Sequence, residues 1–164
     1  MNRVIPISLL LGGTLLCATP ADAQPPAGEV ASARSIAEAW LEAYGSQDFD
    51  RMTSLMTDET VFIDPTSFAI DAVTNRIEWQ GPAAITSGIA GWGMTQGVYT
   101  IDRTYEASGH VVFNGHVDVI YGEGEERQAF RYPITTIISV INGRVAEHRD
   151  YTDFHGASRV EPSH

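Results

Sequence analysis

Apolar residues follow two different spacings along the chain, and the change falls near residue 98. Before that point they recur every three or four residues, which predicts helices that bury one face. Three helices are predicted, at about 30–45, 48–56 and 81–90, with a short strand at 60–64 before the third. The segment 66–80 has weak periodicity and is interpreted as a loop or flap.

After residue 98, apolar and polar residues alternate, which is typical of strands. Four strands are predicted, at about 98–107, 110–121, 127–141 and 144–154. Short turns separate them, and Asn142-Gly143 is a strong hairpin sequence. Helices followed by a meander of strands predict an α+β domain, with the helices on one face of a curved, mostly antiparallel sheet.

The middle strands carry apolar residues on both faces. In 127–141, Ile134 and Ile138 alternate with Pro133 and Ile137. A sheet that helices cover on one side should present a polar face to water on the other. We therefore expect a homodimer that forms through the outer face of the sheet.

The first 23 residues have the composition of an export signal. Arg3 precedes an apolar stretch at 4–16, and Ala21-Asp22-Ala23 is a small-x-small cleavage site. The apolar stretch is too short to span a membrane, so the protein is predicted to be periplasmic or secreted, with no membrane partner after cleavage. The expected organisation is a signal peptide at 1–23, a linker at 24–29, one domain at 30–154 and a flexible tail at 155–164.

Composition excludes several kinds of chemistry. The one cysteine, Cys17, lies in the signal, so the mature chain has neither a disulfide nor a thiol nucleophile. All ten basic residues are arginine, which excludes a lysine Schiff base. A formal net charge of −11 without basic runs argues against nucleic acid as a partner.

Two His-x-Asp pairs occupy strands, where soluble proteins ordinarily bury apolar side chains. His116 and Asp118 share one face of 110–121 with Asn114, and His148 and Asp150 share one face of the last strand. These two histidines and two aspartates are the predicted catalytic residues, acting as general acids and bases. Alternatively, each His-x-Asp pair has only a structural role and is hydrogen-bonded to the backbone or to an arginine. A metal site is disfavoured, because i,i+2 pairs on non-neighbouring strands converge poorly on one ion.

The order of elements, with the ending G-R-V-A-E-H-R-D-Y-T-D-F at 143–154, resembles the NTF2-like superfamily of cone-shaped α+β domains. More narrowly, it resembles SnoaL-like polyketide cyclases and limonene epoxide hydrolase. The SnoaL-like resemblance implies an Asp/His acid–base pair in an apolar pocket, no cofactor, and a small apolar or cyclic molecule as the substrate.

The epoxide-hydrolase resemblance holds only in part. Its Arg-x-Asp falls on His116 and Asp118, its second Asp on Asp150, and its water-holding Tyr and Asn on Phe62 and Asp64. Both carboxylates are present, whereas the arginine and the tyrosine are replaced.

A ketosteroid-isomerase resemblance rests on F-I-D-P at 62–65, which places Asp64 at that family's base. Its oxyanion-hole positions fall on Trp40 and Thr135, neither of which is a strong acidic donor, so steroid isomerisation is disfavoured.

Six residues close to the predicted pocket have large or polar side chains and are expected to bind the substrate: Asp64, Phe62, Trp40, Asn114, Trp79 and Trp92. Trp79 is the candidate lid residue. The first hypothesis is an exported enzyme of the cyclase, isomerase or epoxide-hydrolase type. The alternative is a non-catalytic ligand-binding or dimerisation module of the same fold.

Overall fold

The computed structural model describes residues 31–70 and 76–162, so the predicted signal peptide at 1–23 and the linker at 24–29 lie outside the described part. Three α-helices precede most of the sheet: α1 Ala33–Ser46, α2 Phe49–Leu55 and α3 Pro82–Ala90. The strands are β1 Met56–Asp64, β2 Ile77–Gln80, β3 Met94–Ala107, β4 His110–Tyr121, β5 Gln128–Ile141, β6 Arg144–Thr152 and β7 Ser158–Val160. Two short 3₁₀ turns lie at Ser67–Ala69 and Gly124–Glu126.

The strands form one sheet in the order β2-β1-β6-β5-β4-β3, with β7 paired to one end of β5. Every pairing is antiparallel except that of β1 with β6, which is parallel. Three helices on a curved, mostly antiparallel sheet confirm the α+β prediction. No helix in the described ranges is long and apolar enough to cross a bilayer.

Two sequence expectations about irregular segments differ from the structure. The segment 66–80 is not a loop throughout, because Ile77–Gln80 pair with β1 as a strand. The segment 155–164 is not wholly a tail, because Ser158–Val160 pair with β5. Both strands are short, so their sequences contain too few alternating apolar and polar residues to be predicted as strands.

Helix α1 lies against the inner face of the sheet. Ser32 caps it by accepting a hydrogen bond from the N–H of Ser35 at 3.1 Å, and its apolar stripe is buried. The fully or almost fully buried residues of that stripe include Ile36, Trp40 and Tyr44. The stripe therefore places two aromatic side chains, Trp40 and Tyr44, against the sheet, and each of them also has one polar group.

A glycine in α1 sets how closely the helix approaches β3. A Cβ at Gly45 would lie 2.4 Å from the carbonyl oxygen of Gly97, so only glycine permits this contact. The approach brings the ring centroids of Tyr44 and Tyr99 to 6.1 Å. The fold therefore places a helix tyrosine and a strand tyrosine together at one end of the sheet.

Cross-strand pairs show which residues share a face of the sheet. On the inner face, towards the helices, Val117 pairs with Tyr132 and Asp150 pairs with Thr136. The outer face carries the alternate residues, which include His116, Asp118, Arg131 and Arg149. The apolar side of β4 is therefore the inner one, and its polar side faces outwards.

Candidate active site

A cavity of about 370 Å³ lies between α1, the inner face of the sheet and the residues after α3. Its walls are mostly aromatic and aliphatic, with two carboxylates among them. The lining residues that matter below are Tyr44, Asp64, Trp92, Tyr99, Tyr121, Tyr132 and Asp150. A mostly apolar cavity of this size with a few convergent polar groups is typical of a small-molecule site.

The two carboxylates come from neighbouring strands. In the parallel pairing of β1 with β6, Phe62 is the partner of His148. Asp64 and Asp150 each stand two residues further along, so they point to the same face at about the 4.8 Å spacing of adjacent strands. Both line the cavity. Sequence alternation alone connects neither residue to the other, because the parallel pairing joins segments that are distant in the chain.

Asp150 is held by two neighbours on the inner face. The hydroxyl of Thr136 donates to its Oδ1 at 2.5 Å, and Nε2 of His148 lies 2.9 Å from its Oδ2. Asp150 and His148 are both buried. Donors on both oxygens stabilise negative charge on this carboxylate and fix its orientation.

The protonation state of His148 follows from its other partner. The indole Nε1–H of Trp40 donates to Nδ1 of His148 at 2.7 Å, in the buried core. An indole nitrogen can only donate, so Nδ1 carries a lone pair and the ring proton sits on Nε2, facing Asp150. His148 is therefore a neutral imidazole in one fixed tautomer.

The contact between Nε2 of His148 and Asp150 is close but not well aligned. Nε2 lies 2.9 Å from Oδ2 of Asp150, but the angle is too bent for a regular hydrogen bond. The imidazole is stacked on Phe62, with centroids 4.4 Å apart and planes 15° apart, which restricts ring rotation. Because Nε2 is buried away from water, the Asp150 carboxylate is the acceptor that its N–H faces.

Asp64 is held by the turn that follows β1. The backbone N–H and the hydroxyl of Thr66 donate to its Oδ1 at 2.8 and 2.6 Å, and the N–H of Thr152 donates to the same hydroxyl at 2.9 Å. Burial nevertheless raises the pKa of Asp64 above its ordinary value, and the charge of Asp150 raises it further. The two carboxylates are thus electrostatically coupled and differently supported.

Two tyrosines of the cavity wall, Tyr44 and Tyr99, lie side by side, with their ring centroids 6.1 Å apart. Burial raises the pKa of both phenols well above the ordinary value. In Tyr44 the charge of Asp150 adds to that effect. Both hydroxyls therefore stay protonated and can donate a hydrogen bond to a bound molecule.

The expectation that both His-x-Asp pairs face one pocket is wrong. His116 and Asp118 lie on the outer face, because the neighbouring Val117 lines the cavity. Arg131 binds Asp118 with two hydrogen bonds of 2.7 Å, and this contact holds the pKa of Asp118 below its usual range. Asn114 is exposed and donates to Thr135, also on the outer face.

Other predicted site residues divide between the cavity wall and the core behind it. Asp64, Asp150 and Trp92 line the cavity, and His148 lies behind Asp150. Phe62 and Trp40 are fully buried in the core. Trp79 stacks on Phe62 with centroids 5.4 Å apart, so it packs as a core residue of β2 and not as a lid.

Sequence reasoning missed the tyrosines of the wall: Tyr44, Tyr99, Tyr121 and Tyr132. Tyr121 shares one face of β4 with Val117 and Val119, so the choice of that apolar face as the inner one would have found it. Tyr44 belongs to the apolar stripe of α1 and carries no separate signal.

Among the described residues, no group of three or more His, Cys, Asp or Glu side chains is arranged to hold a metal ion. The carboxylates of the cavity, Asp64 and Asp150, are supported by hydroxyl, amide and imidazole groups of the chain itself.

The sequence matches one family model, described as a SnoaL-like domain, over residues 37–148. No curated protein matches the chain at a significant level.

Several solved structures share the fold. A protein assigned to the SnoaL-like polyketide cyclases of Shewanella denitrificans OS-217 has a TM-score of 0.63 and 16% identity, covering 75% of this chain and 91% of that one. An LEH-like epoxide hydrolase of M. tuberculosis has a TM-score of 0.57 and 22% identity, covering 75% and 84%. A protein of ketosteroid isomerase-like fold from Catenulispora acidiphila DSM 44928, in complex with trimethylamine, has a TM-score of 0.57 and 18% identity, covering 73% and 85%. At these identities the likeness shows the fold alone.

Replacing Trp40 by Phe tests the buried hydrogen bond to His148. The substitution leaves Nδ1 without its donor, which should cost about 1–3 kcal/mol in the free energy of unfolding beyond the loss of packing. It also frees the imidazole to adopt the other tautomer, which ¹⁵N–¹H spectra of the histidine ring would detect. Trp79→Phe is the matched control, since it removes the same atoms from the same aromatic cluster. A wild-type spectrum that places the ring proton of His148 on Nδ1 would contradict the assignment.

Replacing Asp64 by Asn tests the cost of its burial. Asn keeps the Oδ1 acceptor for Thr66 but carries no charge. Because the pKa of Asp64 is raised in the folded protein, the free energy of unfolding falls as the pH rises from the unfolded pKa of 3.8 through the folded pKa. Asp64→Asn should therefore raise Tm by a few degrees near neutral pH and lose that advantage below this window. Asp58→Asn, at an exposed site of β1, is the control; a lower Tm for Asp64→Asn at neutral pH would contradict the argument.

Proposed function

We propose that this chain, which belongs to the SnoaL-like domain family, catalyses cofactor-independent acid–base chemistry on a small apolar or cyclic molecule bound in the cavity. One observation carries the proposal: Asp64 and Asp150 line the same cavity from adjacent strands in different surroundings. Paired carboxylates in unlike environments can divide into a proton donor and a proton acceptor.

The surroundings suggest which carboxylate takes each role. Asp150 accepts from Thr136 and faces the N–H of His148, so its negative charge is stabilised and it acts as the base. Asp64 has a raised pKa because of burial and the charge of Asp150, so it acts as the acid. In this scheme His148 orients Asp150 and does not itself exchange protons.

The tyrosines extend the scheme to a reaction class. If the substrate is a carbonyl compound, Asp150 removes a proton next to the carbonyl group and negative charge develops on the carbonyl oxygen. A hydroxyl of Tyr44 or Tyr99 can donate to that oxygen. Asp64 then gives its proton to another carbon, which yields an isomer. Alternatively, the carbanion adds to a second carbonyl carbon of the same molecule, whose C=O π bond breaks, and Asp64 protonates the resulting alkoxide, which closes a ring without a change in oxidation state.

Isomerisation or cyclisation is favoured over epoxide hydrolysis by the position of two residues. The arginine and aspartate positions matched to limonene epoxide hydrolase, His116 and Asp118, lie on the outer face of the sheet. Arg131 and Arg149 are also on that face, paired with Asp118 and Glu147, so neither takes the place of the missing arginine in the cavity. The base position of ketosteroid isomerase, Asp64, lines the cavity.

Binding of small molecules by this fold is supported by a neighbour. The ketosteroid isomerase-like protein of Catenulispora acidiphila is in complex with trimethylamine. The alternative function, a pocket that binds a ligand without converting it, uses the same cavity and differs only in the outcome of the experiment below.

We further propose that the mature protein is an exported homodimer. The signal-like residues 1–23 support export, and the exposed Pro133 and Tyr151 on the outer face support a sheet-to-sheet contact. The protein recovered from the periplasm or medium should begin near Gln24 and have twice the mass of one chain by light scattering. A product that retains Met1, or a monomer, would contradict the corresponding part.

Exchanging one aspartate on each face tests the catalytic proposal. Asp150→Asn should lower turnover by roughly 10²–10⁴-fold, the usual contribution of a general base. Asp118 lies on the outer face, so Asp118→Asn should leave turnover unchanged. The loss of the ion pair with Arg131 should lower Tm slightly. The measurement is conversion of a panel of cyclic ketones and epoxides by the purified mature protein.

Two results would decide against this assignment. Loss of turnover in Asp118→Asn but not in Asp150→Asn would move the reaction to the other face. Saturable binding of apolar compounds with no conversion by the wild type would favour the ligand-binding function.

A further inference from the structure

The cavity concentrates negative charge without a positive side chain to balance it. Asp64 and Asp150 line it, and none of the described lining residues is an arginine, a lysine or a histidine. His148 contacts Asp150 from behind but is neutral, since Trp40 occupies its Nδ1. An anionic molecule would therefore meet repulsion in this cavity.

Two arginines that neighbour lining residues in sequence cannot supply the missing charge. Arg131 is paired with Asp118 and Arg149 with Glu147, all on the outer face. The sheet itself separates these cations from the cavity. The positive charge that would best balance the carboxylates has to come from the bound molecule.

The remaining walls suit a cation as well. Tyr44, Tyr99, Tyr121, Tyr132 and Trp92 line the same cavity. Their ring faces carry negative electrostatic potential and attract ammonium groups, most strongly where water is excluded. The phenols remain neutral, so they act as aromatic surfaces and hydrogen-bond donors and not as further anions.

We propose that the cavity selects a small organic monocation, a protonated or quaternary amine on an apolar or cyclic skeleton, with the ammonium group against Asp64 and Asp150. The proposal rests on the same site as the proposed function and names its substrate class. The apolar walls take the skeleton.

An isosteric set of probes separates charge from shape. Choline, neutral 3,3-dimethylbutan-1-ol and the 3,3-dimethylbutanoate anion share the same branched end group and differ in charge. Calorimetric titration of the full-length mature protein should give an affinity for choline at least about tenfold above that for the alcohol, with no measurable binding of the carboxylate. Asp150→Asn and Asp64→Asn should each reduce this preference for choline without lowering the affinity for the alcohol. Asp118→Asn should leave the preference intact.

The outcomes separate this proposal from the catalytic one. Equal affinity for choline and the alcohol, tighter binding of the carboxylate, or no binding of choline would overturn the cation proposal. Turnover of a neutral ketone that depends on Asp150 would keep the acid–base function while overturning the cation preference. A cation preference that depends on both aspartates, with no conversion of any amine or ketone, would keep the site and overturn the catalytic function.

Discussion

The hydrogen bond between Trp40 and His148 is the constraint on which the candidate site depends. It joins α1 to β6 inside the core at 2.7 Å, and the opposite edge of the same imidazole faces Asp150. The three side chains are buried together, so the loss of any one leaves a polar group without either a partner or water. The position of the helix on the sheet and the orientation of the carboxylate are therefore set by one connected group of atoms.

This arrangement also limits what the histidine can do. Protonating Nδ1 of His148 would set two donors against each other at the Trp40 contact, which is unfavourable in a medium without water. Proton exchange with a bound molecule thus falls to Asp64 and Asp150, which line the cavity. Burying the carboxyl group of Asp64 raises its pKa and costs free energy, which the rest of the fold offsets, as is common where a carboxyl group has a chemical role.

Local periodicity was sufficient to predict the helices and the long strands, because each buries one regular face. It could not decide which face of β4 points inwards. Polar residues such as His116 and Asp118 suggested a site, yet the pair with Arg131 lets Asp118 be buried on the outer face, while the helices and cavity cover the apolar side. Side chains alternate between the two faces of a strand, so choosing the wrong inner face of β4 misplaces all of its side chains. That one error removed His116 and Asp118, half of the predicted catalytic residues, from the site. The pairing of Tyr44 with Tyr99 depends on contacts distant in sequence, which periodicity does not contain.

Negative charge acts on a ligand at two distances from this protein. The formal net charge of −11 raises the concentration of cations near the surface and lowers that of anions, an effect that salt screens over about 10 Å. Inside the cavity, Asp64 and Asp150 act through protein and aromatic groups, where screening by ions is weak. Added salt therefore weakens the approach of a cation while its preference over a neutral isostere persists. That difference separates recognition by the cavity from attraction by an acidic surface.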